Sequence, residues 1–253
     1  MVAARPSEPV SDPRTRKTAL VTGGAKRLGR ELALTLARAG MNVAITFRES
    51  ESQAMETVRN MEALSVRSIA AQMDVRSEAS VRGAVAATVA EFGGIDLLVN
   101  NAAIFESTPL AEISVDRWDA VFATNTRGPF LMAREALPYL KAGRGRIVNL
   151  GSLGGSHPWA SHAHYCSSKA ALHMLTQTMA KAFAPEVSVN CVAPGCIAMD
   201  AEPGPEADRF AARTPMRRNG TADDIAQAVL FFVTGPAFVT GQILAVDGGL
   251  GLA

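Results

Sequence analysis

A glycine-rich bend near the amino terminus constrains the fold of this chain more than any other feature. The sequence Thr-Gly-Gly-Ala-Lys-Arg-Leu-Gly occupies positions 22–29, between an apolar run at 19–21 and a helical pattern that begins at Glu31. A strand that turns through glycines directly into a helix presents unpaired backbone N–H groups at the positive end of that helix. Side chains there would clash at positive φ or hold a ligand away from the backbone. The bend therefore predicts a phosphate-binding turn between a strand and a helix.

The bend lacks the chemistry of a nucleoside triphosphate loop. Gly24 and Gly29 have the G-x-x-x-x-G spacing, but Arg30 and Glu31 stand where such a loop needs Lys and then Ser or Thr. Kinase and ATPase functions are therefore excluded. The G-x-G of the common dinucleotide fingerprint is also absent, so an ordinary strand-to-helix turn stays open as the alternative for this stretch taken alone.

Strand and helix patterns alternate along the rest of the chain. The predicted strands are 17–22, Asn42–Phe47, 68–73, 95–99, Arg146–Leu150, 187–192 and Ile243–Val246. The predicted helices are 29–39, 53–64, 80–92, 118–140 and 165–183. Near-continuous apolar strands separated by helices are typical of a parallel sheet covered on both faces, with right-handed crossovers. We expect an α/β fold with one Rossmann-type, doubly wound, parallel seven-stranded sheet and helices on both faces.

We expect one catalytic domain over residues 17–253. The first 16 residues carry three prolines and scattered charge without an apolar segment, and we expect a disordered tail there, neither signal peptide nor anchor. Residues 196–215 are rich in loop-forming residues, a composition that favours a substrate lid.

Composition favours small-molecule partners. Hydrophobic residues make up 48% of the chain and charged residues 19%, and the net charge of +1 gives no reason to expect nucleic acid or an anionic membrane as a partner. No apolar run approaches the length of a membrane span. The three cysteines form neither a metal-ligand spacing nor an even disulfide set, which favours a reducing cytoplasmic location.

A tyrosine and a lysine in the sequence Tyr165-Cys-Ser-Ser-Lys169 share one face of a predicted helix, a single turn apart. A neighbouring ammonium that favours the phenolate can lower the pKa of a tyrosine by about two to three units, which suits acid-base chemistry at neutral pH. A surface pair is the alternative for an isolated motif of this kind. Ser152 follows the predicted strand Arg146–Leu150, at the same sheet edge as the glycine bend, where its hydroxyl could hold a carbonyl oxygen beside the phenol.

Over residues 17–250 the chain resembles the short-chain dehydrogenase/reductases. The resemblance rests on seven motifs in the family's order: T-G-x-x-x-x-x-G at 22–29, Asp74-Val75, Asn-Asn-Ala-Ala at 100–103, Asn125, the set Ser152, Tyr165 and Lys169, Pro194-Gly195, and Val-Asp-Gly-Gly at 246–249. It implies an oxidoreductase that transfers a hydride between a nicotinamide cofactor and a carbonyl compound. It also implies a homotetramer, with the helical stretches 118–140 and 165–183 at one dimer contact and the carboxyl terminus at a second interface.

The resemblance assigns roles to individual residues. Tyr165 would be the general acid, Lys169 would lower its pKa and bind the nicotinamide ribose, Ser152 would orient the carbonyl, and Asn125 would hold a proton-relaying water. Asp74 and Val75 would meet the adenine, Asn101 and Ala102 would line the adenosine side, and Gly195 and Ile197 would present backbone groups to the carboxamide. For Asp74 and Asn101, turn formation and helix capping are the alternative roles. The predicted cofactor-binding residues are Gly23, Lys26, Arg27, Leu28, Gly29, Arg48, Ser50, Asp74, Val75, Asn101, Ala102, Ala103, Tyr165, Lys169, Pro194, Gly195 and Ile197.

The residues after the second strand decide which nicotinamide cofactor is expected. Enzymes of this type that use NAD carry an acidic residue there for the adenosine ribose hydroxyls. Here Arg48 and Ser50 suit a 2′-phosphate, and Arg27 in the glycine turn can add a second guanidinium. Glu49 is acidic and does not suit a 2′-phosphate, and we expect its side chain to point outward. The predicted cofactor is NADPH, and the predicted reaction is reduction.

Local features leave the substrate open. Arg27, the sequence Asn-Ala-x-x-Phe at 101–105 and Ala-Pro-Glu-Val at 184–187 are similar to the pteridine reductase branch of the family. That branch often has aspartate where Ser152 stands, so Ser152 favours reduction of a ketone or 3-oxoacyl group over a pterin ring. Met199 replaces a threonine that bonds the carboxamide in many relatives. A third alternative is an NADPH-binding sensor without turnover, against which the intact catalytic set argues.

A cluster of histidines precedes Tyr165. His157, His162 and His164 have no carboxylate or cysteine at a sensible ligand spacing, so no metal site is expected. His157, Trp159 and Phe105 are candidate substrate-pocket residues, although either aromatic residue could serve the core or a subunit contact instead.

Overall fold

The computed structural model describes residues 16–198 and 205–252, and the side chains of residues 205 and 206 are not described. The strands are β1 Thr18–Val21, β2 Asn42–Phe47, β3 Ser68–Gln72, β4 Leu97–Asn100, β5 Arg146–Leu150, β6 Ser188–Pro194 and β7 Ile243–Val246. The helices are α1 Arg27–Arg38, α2 Glu51–Glu62, α3 Glu78–Phe92, α4 Val115–Phe122, α5 Gly128–Ala142, α6 Ala163–Phe183, α7 Pro205–Arg213 and α8 Ala222–Thr234. In the described part of the chain, no helix combines the length and the apolar character that crossing a membrane requires.

All seven strands form one parallel sheet in the order β3-β2-β1-β4-β5-β6-β7. The chain leaves β1 in one direction along the sheet and returns to β4 on its other side. The loops that follow these two strands therefore diverge, which opens a crevice at the carboxyl edge. The predicted fold class is confirmed.

Two apolar layers cover the faces of the sheet. Successive residues of β1 point to opposite faces, so Ala19 and Val21 lie in one layer and Leu20 in the other. Residues of α1, α2 and α8 complete the first layer, and residues of α3, α5 and α6 complete the second. Because apolar side chains and helices cover both faces, ligands reach the sheet at its edges.

Three predictions of local structure are wrong. The single helix predicted for 118–140 is two helices joined by a π-helical turn, Ala123–Arg127, in which Asn125 bonds to a distant loop. Residues 205–213, predicted as irregular, form α7. Helix α8 is missing from the predictions, although its capping box, in which Thr221 and Asp224 each accept a hydrogen bond from the other's backbone N–H, is a readable start signal.

Some expectations fall outside the described residues. They are the disordered tail as far as residue 15, the part of the lid at 199–204, and the effect of Met199 on carboxamide binding.

Candidate active site

A cleft of about 1460 Å³ lies along the carboxyl edge of the sheet, where the loops after β1 and β4 diverge. Its volume exceeds that of the pockets that bind drug-sized molecules, which span about 300–1,000 Å³, so an extended ligand and a second molecule can both enter. Every residue predicted to bind the cofactor lines it, as do Ser152, Tyr165 and Lys169. Of the predicted catalytic residues, Asn125 alone does not.

The glycine turn after β1 leaves a backbone cradle at the start of α1. Gly23 has φ +67°, and a Cβ built on Gly29 would lie 2.0 Å from the Gly23 carbonyl oxygen. A Cβ on Gly24 would lie 2.5 Å from Ile45. Only glycine fits these positions, and the exposed amide groups fit a phosphate at a helix amino terminus.

Thr22 holds the turn against the loop after β4, and the sequence reasoning did not assign it a role. Its hydroxyl oxygen accepts hydrogen bonds from the backbone N–H groups of Asn101 and Ala102, each 3.0 Å long. The Asn101 amide donates to the carbonyl oxygens of Thr22 and Gly23 at 2.9 and 3.1 Å. In the structure Asn101 therefore braces the turn, which is the alternative role considered for it. Thr46 also supports the turn, since its hydroxyl accepts from the Gly23 N–H at 3.2 Å.

Arg48 and Ser50 lie at the end of β2, on the rim of the cleft. The Glu49 side chain is 76% exposed, as an outward orientation requires, but its Oε1 also accepts from the Arg48 guanidinium at 2.8 Å. Exposed ion pairs contribute little to stability, so a phosphate dianion can compete with the Glu49 carboxylate for this guanidinium. Arg27 also lines the cleft, with φ 54°, a left-handed conformation that is costly for a residue with a side chain.

Asp74 follows β3 and lines the cleft, but its carboxylate is occupied by a neighbour. The Arg76 guanidinium donates to both Asp74 oxygens over 2.6 to 3.1 Å, and the Arg76 backbone N–H donates to Oδ1 at 2.9 Å. The Arg76 hydrogen bonds hold the pKa of Asp74 below its ordinary value. Turn formation is thus the role that the structure gives to this carboxylate, and the adenine contact stays a prediction.

Ser152, Tyr165 and Lys169 converge at the centre of the cleft. Ser152 follows β5, and its Oγ accepts from the Gly154 N–H at 3.0 Å. Tyr165 and Lys169 lie one turn apart on α6, with the Lys169 Nζ 5.8 Å from the centre of the Tyr165 ring. Nζ donates to the Leu150 carbonyl oxygen at 2.7 Å. All three side chains are at least nine-tenths buried, so their polar groups act in a medium of low dielectric.

Asn125 lies in the π-helical turn and does not line the cleft. Its Oδ1 accepts from the Ile104 N–H at 2.8 Å, and its Nδ2 donates to the Ile104 carbonyl oxygen at 2.9 Å and to the Ser168 hydroxyl at 3.1 Å. The side chain therefore ties the loop after β4 to α6. The predicted water relay would have to use its backbone rather than its amide group.

The residues at the carboxyl end of β6 form a further wall of the cleft. Gly195 donates its N–H to the Val246 carbonyl oxygen at 3.0 Å, and a Cβ on Gly195 would lie 2.6 Å from Asp247. Ile197 bridges to Gly220. Among the described residues, no group of three or more His, Cys, Asp and Glu side chains is placed to hold a metal ion. His164 is instead buried, with its Nε2 3.1 Å from Glu106 Oε1.

Comparison with known proteins decides the family. A family model described as enoyl-(acyl carrier protein) reductase matches residues 23–251. The 3-oxoacyl-[acyl-carrier-protein] reductase of Staphylococcus epidermidis is 36% identical over 240 residues, which cover 92% of this chain and 98% of that protein. A short-chain dehydrogenase/reductase from Serratia marcescens superposes with a TM-score of 0.89 at 32% identity, covering 95% of this chain and 100% of that one.

The chain belongs to the short-chain dehydrogenase/reductase family. The predicted resemblance is confirmed. A blue fluorescent protein from a metagenomic library, solved in complex with NADPH, also superposes on this short-chain dehydrogenase/reductase. That match has a TM-score of 0.87 at 35% identity and covers 92% of this chain and 97% of that one.

Burial sets the direction of the pKa shifts of both Tyr165 and Lys169 in this short-chain dehydrogenase/reductase. Desolvation raises the pKa of Tyr165 to about 12, against the opposing effect of a hydrogen bond with Ser152. Desolvation lowers the pKa of Lys169 to about 8. The Tyr165 pKa therefore moves opposite to the predicted direction in this structure, because burial of the phenol dominates the shift, and the effect of Lys169 on this pKa stays a prediction.

The lowered pKa of Lys169 has a measurable effect on stability. Between about pH 8 and its ordinary pKa of 10.5, the unfolded chain binds a proton at Lys169 that the folded chain has released. The free energy of unfolding should therefore rise with pH in this window, by about 1 to 2 kcal/mol between pH 7.5 and pH 9.5. Urea denaturation at both pH values should show this rise in the wild type relative to Lys169→Met. Lys141→Met, at an exposed site on α5, should keep the wild-type difference; an equal difference in Lys169→Met would contradict the assignment.

Proposed function

We propose that this chain is an NADPH-dependent reductase that converts a ketone or 3-oxoacyl carbonyl group to an alcohol. The observation that carries the proposal is the convergence of Ser152, Tyr165 and Lys169 on the cleft that begins at the glycine turn. Two similar proteins support it, one a 3-oxoacyl-[acyl-carrier-protein] reductase and the other a protein solved in complex with NADPH. In this proposal residues 17–253 act as one catalytic domain, and the described parts of the predicted lid, residues 196–198 and 205–215, close over the substrate.

The buried hydroxyls act on the carbonyl oxygen. NADPH, when bound, supplies the hydride that adds to the carbonyl carbon. Ser152 donates a hydrogen bond to the oxygen and so orients it, and Tyr165 gives its proton to the same oxygen as negative charge develops there. Because the pKa of Tyr165 lies well above neutral pH, its phenol is protonated there, which is the form that a general acid requires.

Lys169 and Asn125 support this transfer. A carbonyl oxygen that becomes an alkoxide needs a nearby positive charge, and the Lys169 ammonium is fixed within the same cleft by Leu150. Lys169 also lines the cleft, where it would bind the nicotinamide ribose. Asn125 holds the loop after β4 in place and would pass the replacement proton through a water on its backbone carbonyl.

The guanidinium of Arg48 selects the cofactor through the 2′-phosphate, with Arg27 as the second donor. A hydrogen bond between charged groups contributes about 1.5–3 kcal/mol. We therefore expect Arg48→Ala to raise the KM for NADPH by about 10- to 100-fold and to leave the KM for NADH nearly unchanged. Glu49→Gln is the matched variant: it frees Arg48 from its ion pair and should lower the KM for NADPH. A parallel change for both cofactors in Arg48→Ala would show that the 2′-phosphate is not its ligand.

The chain is proposed to assemble as a homotetramer in the cytoplasm. Helices α5 and α6 expose large apolar side chains, among them Phe130 at 42% and Met174 at 63%. Such surface is typical of an interface. The three cysteines are free thiols, as a reducing compartment requires. Light scattering of the purified protein should give four times the chain mass, and a monomer at micromolar concentration would contradict this.

The experiment that tests the proposed function is NADPH oxidation, followed at its absorbance band, with acetoacetyl thioesters, simple ketones, quinones and dihydropterins. Turnover of ketones or thioesters is the expected result. Turnover confined to dihydropterins would favour the pterin-reducing alternative. Tight NADPH binding without oxidation of any compound would favour a sensor.

A further inference from the structure

Four aromatic rings enclose the substrate end of the cleft. The Phe105 ring stacks on His162, with centroids 4.9 Å apart and an interplanar angle of 16°, and the Trp159 ring lies at 13° to the Tyr165 ring, 6.2 Å away. The two pairs are nearly perpendicular, since Phe105 meets Tyr165 at 80° and Trp159 at 89°. The rings thus form the two walls of a corner beside the phenol of Tyr165. We call this group, Phe105, Trp159, His162 and Tyr165, the aromatic corner.

The Phe105 side of the aromatic corner is fixed although the ring itself is 63% exposed. On one side of Phe105, the backbone of Ile104 is bonded twice by the Asn125 amide. On the other side, Glu106 bonds the buried His164 ring at 3.1 Å and pairs with Arg117 at 3.4 Å. An exposed phenyl ring whose neighbours are both anchored is preorganised, which lowers the entropic cost of binding a ligand against it.

The Trp159 side is fixed by a glycine and by the backbone of a neighbouring loop. A Cβ built on Gly154 would lie 3.1 Å from the Trp159 ring, so the indole packs closely against a position without a side chain. The Ser161 carbonyl oxygen accepts from the Thr108 N–H at 2.7 Å, which joins the two loops that carry the rings. The two loops that carry the rings of the aromatic corner therefore support each other.

The chemistry of the aromatic corner selects flat ligands. Aromatic rings prefer stacked or edge-to-face partners, and such pairs contribute beyond the area they bury. A saturated chain or ring of equal size would bury similar area without this contribution. Among the described residues that line the cleft, the carboxylates are Glu49 and Asp74, both at the end by the glycine turn, so no described lining carboxylate faces the π-surface of a ligand in the aromatic corner.

We propose that the substrate carries a planar aromatic ring next to its reducible carbonyl group. The ring lies in the aromatic corner, and the carbonyl oxygen reaches Tyr165 and Ser152. This inference rests on the proposed function and narrows it, because it ranks aryl ketones above the linear 3-oxoacyl thioesters that the same chemistry would accept.

A matched pair of 3-oxo esters tests the inference, one with a phenyl group and one with a cyclohexyl group on the reacting carbonyl. The rate at which borohydride reduces each ester is measured first. The ratio of the two kcat/KM values, phenyl over cyclohexyl, is then divided by the ratio of the two borohydride rates to remove the difference in intrinsic reactivity. We expect the corrected ratio to favour the phenyl ester by about tenfold or more, as two ring contacts would give. Phe105→Leu and Trp159→Leu should each reduce the ratio by about threefold or more. Phe238→Leu, at a fully exposed phenylalanine that does not line the cleft, should leave it unchanged.

The outcomes separate this inference from the proposed function. A corrected ratio near one would overturn the aromatic inference, and so would a ratio that both variants leave unchanged. In either case, turnover of either ester would uphold the reductase. If neither ester is reduced, their dissociation constants are measured by quenching of tryptophan fluorescence in the protein with NADPH. Preferential binding of the phenyl ester that is lost in Phe105→Leu would uphold the aromatic corner without the reductase, and equal binding of both esters would overturn it.

Discussion

Replacing Tyr165 with phenylalanine is expected to lower kcat/KM for carbonyl reduction by about 100- to 10,000-fold, the range that a positioned general acid contributes. The substitution removes one oxygen and keeps the ring, so the contacts with Phe105 and Trp159 persist. The Kd for NADPH should change by less than about threefold, because the glycine turn and Arg48 are untouched. Steady-state kinetics and NADPH fluorescence titration measure the two quantities.

The only other tyrosine of the chain provides the control. Tyr139 lies on α5, 36% exposed and outside the cleft, and Tyr139→Phe should keep wild-type turnover. Turnover in Tyr165→Phe within tenfold of the wild type would remove the phenol from the proton transfer. A loss of NADPH binding equal to the loss of turnover would instead make Tyr165 a cofactor-binding residue only.

Replacing Gly29 with alanine is expected to weaken NADPH binding by about 100-fold or more. The new Cβ would lie 2.0 Å from the Gly23 carbonyl oxygen and 2.6 Å from the Asn101 amide nitrogen, so the turn must open. Two backbone hydrogen bonds to a charged phosphate, at about 1.5–3 kcal/mol each, are then lost. Calorimetric titration with NADPH measures the change.

A glycine in open space is the matched control for this variant. Gly83 lies within α3, where a Cβ would have no neighbour within 4 Å, so Gly83→Ala should bind NADPH normally and gain about 0.5–1 kcal/mol of stability. Circular dichroism shows whether Gly29→Ala remains folded. A folded Gly29→Ala protein with wild-type NADPH affinity would contradict the phosphate-binding role of the turn.

Local patterns were sufficient to predict the sheet and the positions of the site. The strands Asn42–Phe47, Arg146–Leu150 and Ile243–Val246 have the bounds predicted for them, because each is a short apolar run between breakers. Residues that directly follow parallel strands must lie at one edge, which is why the sequence alone places Gly23 and Ser152 in the same cleft.

Contacts between distant segments and side-chain partners could not be predicted in this way. The π-helical turn contains Asn125, whose hydrogen bond with the distant Ile104 no periodicity records. The ion pair of Arg48 with Glu49 and the bonds of Asp74 with Arg76 depend on rotamers. The direction of the Tyr165 pKa was wrong for a related reason: a sequence shows which charge is near in the chain, but not how deeply both groups are buried.

Transfer of a labelled hydride tests the central claim most directly. The protein is incubated with NADPH carrying deuterium at the transferable position, together with an aryl 3-oxo ester, and the product is analysed by mass spectrometry and NMR. We expect an alcohol with one deuterium on the former carbonyl carbon, formed in proportion to the NADPH consumed and at least about 100-fold more slowly with Tyr165→Phe. NADPH that binds tightly yet transfers no deuterium to this ester, to other ketones or to acetoacetyl thioesters would contradict the reductase.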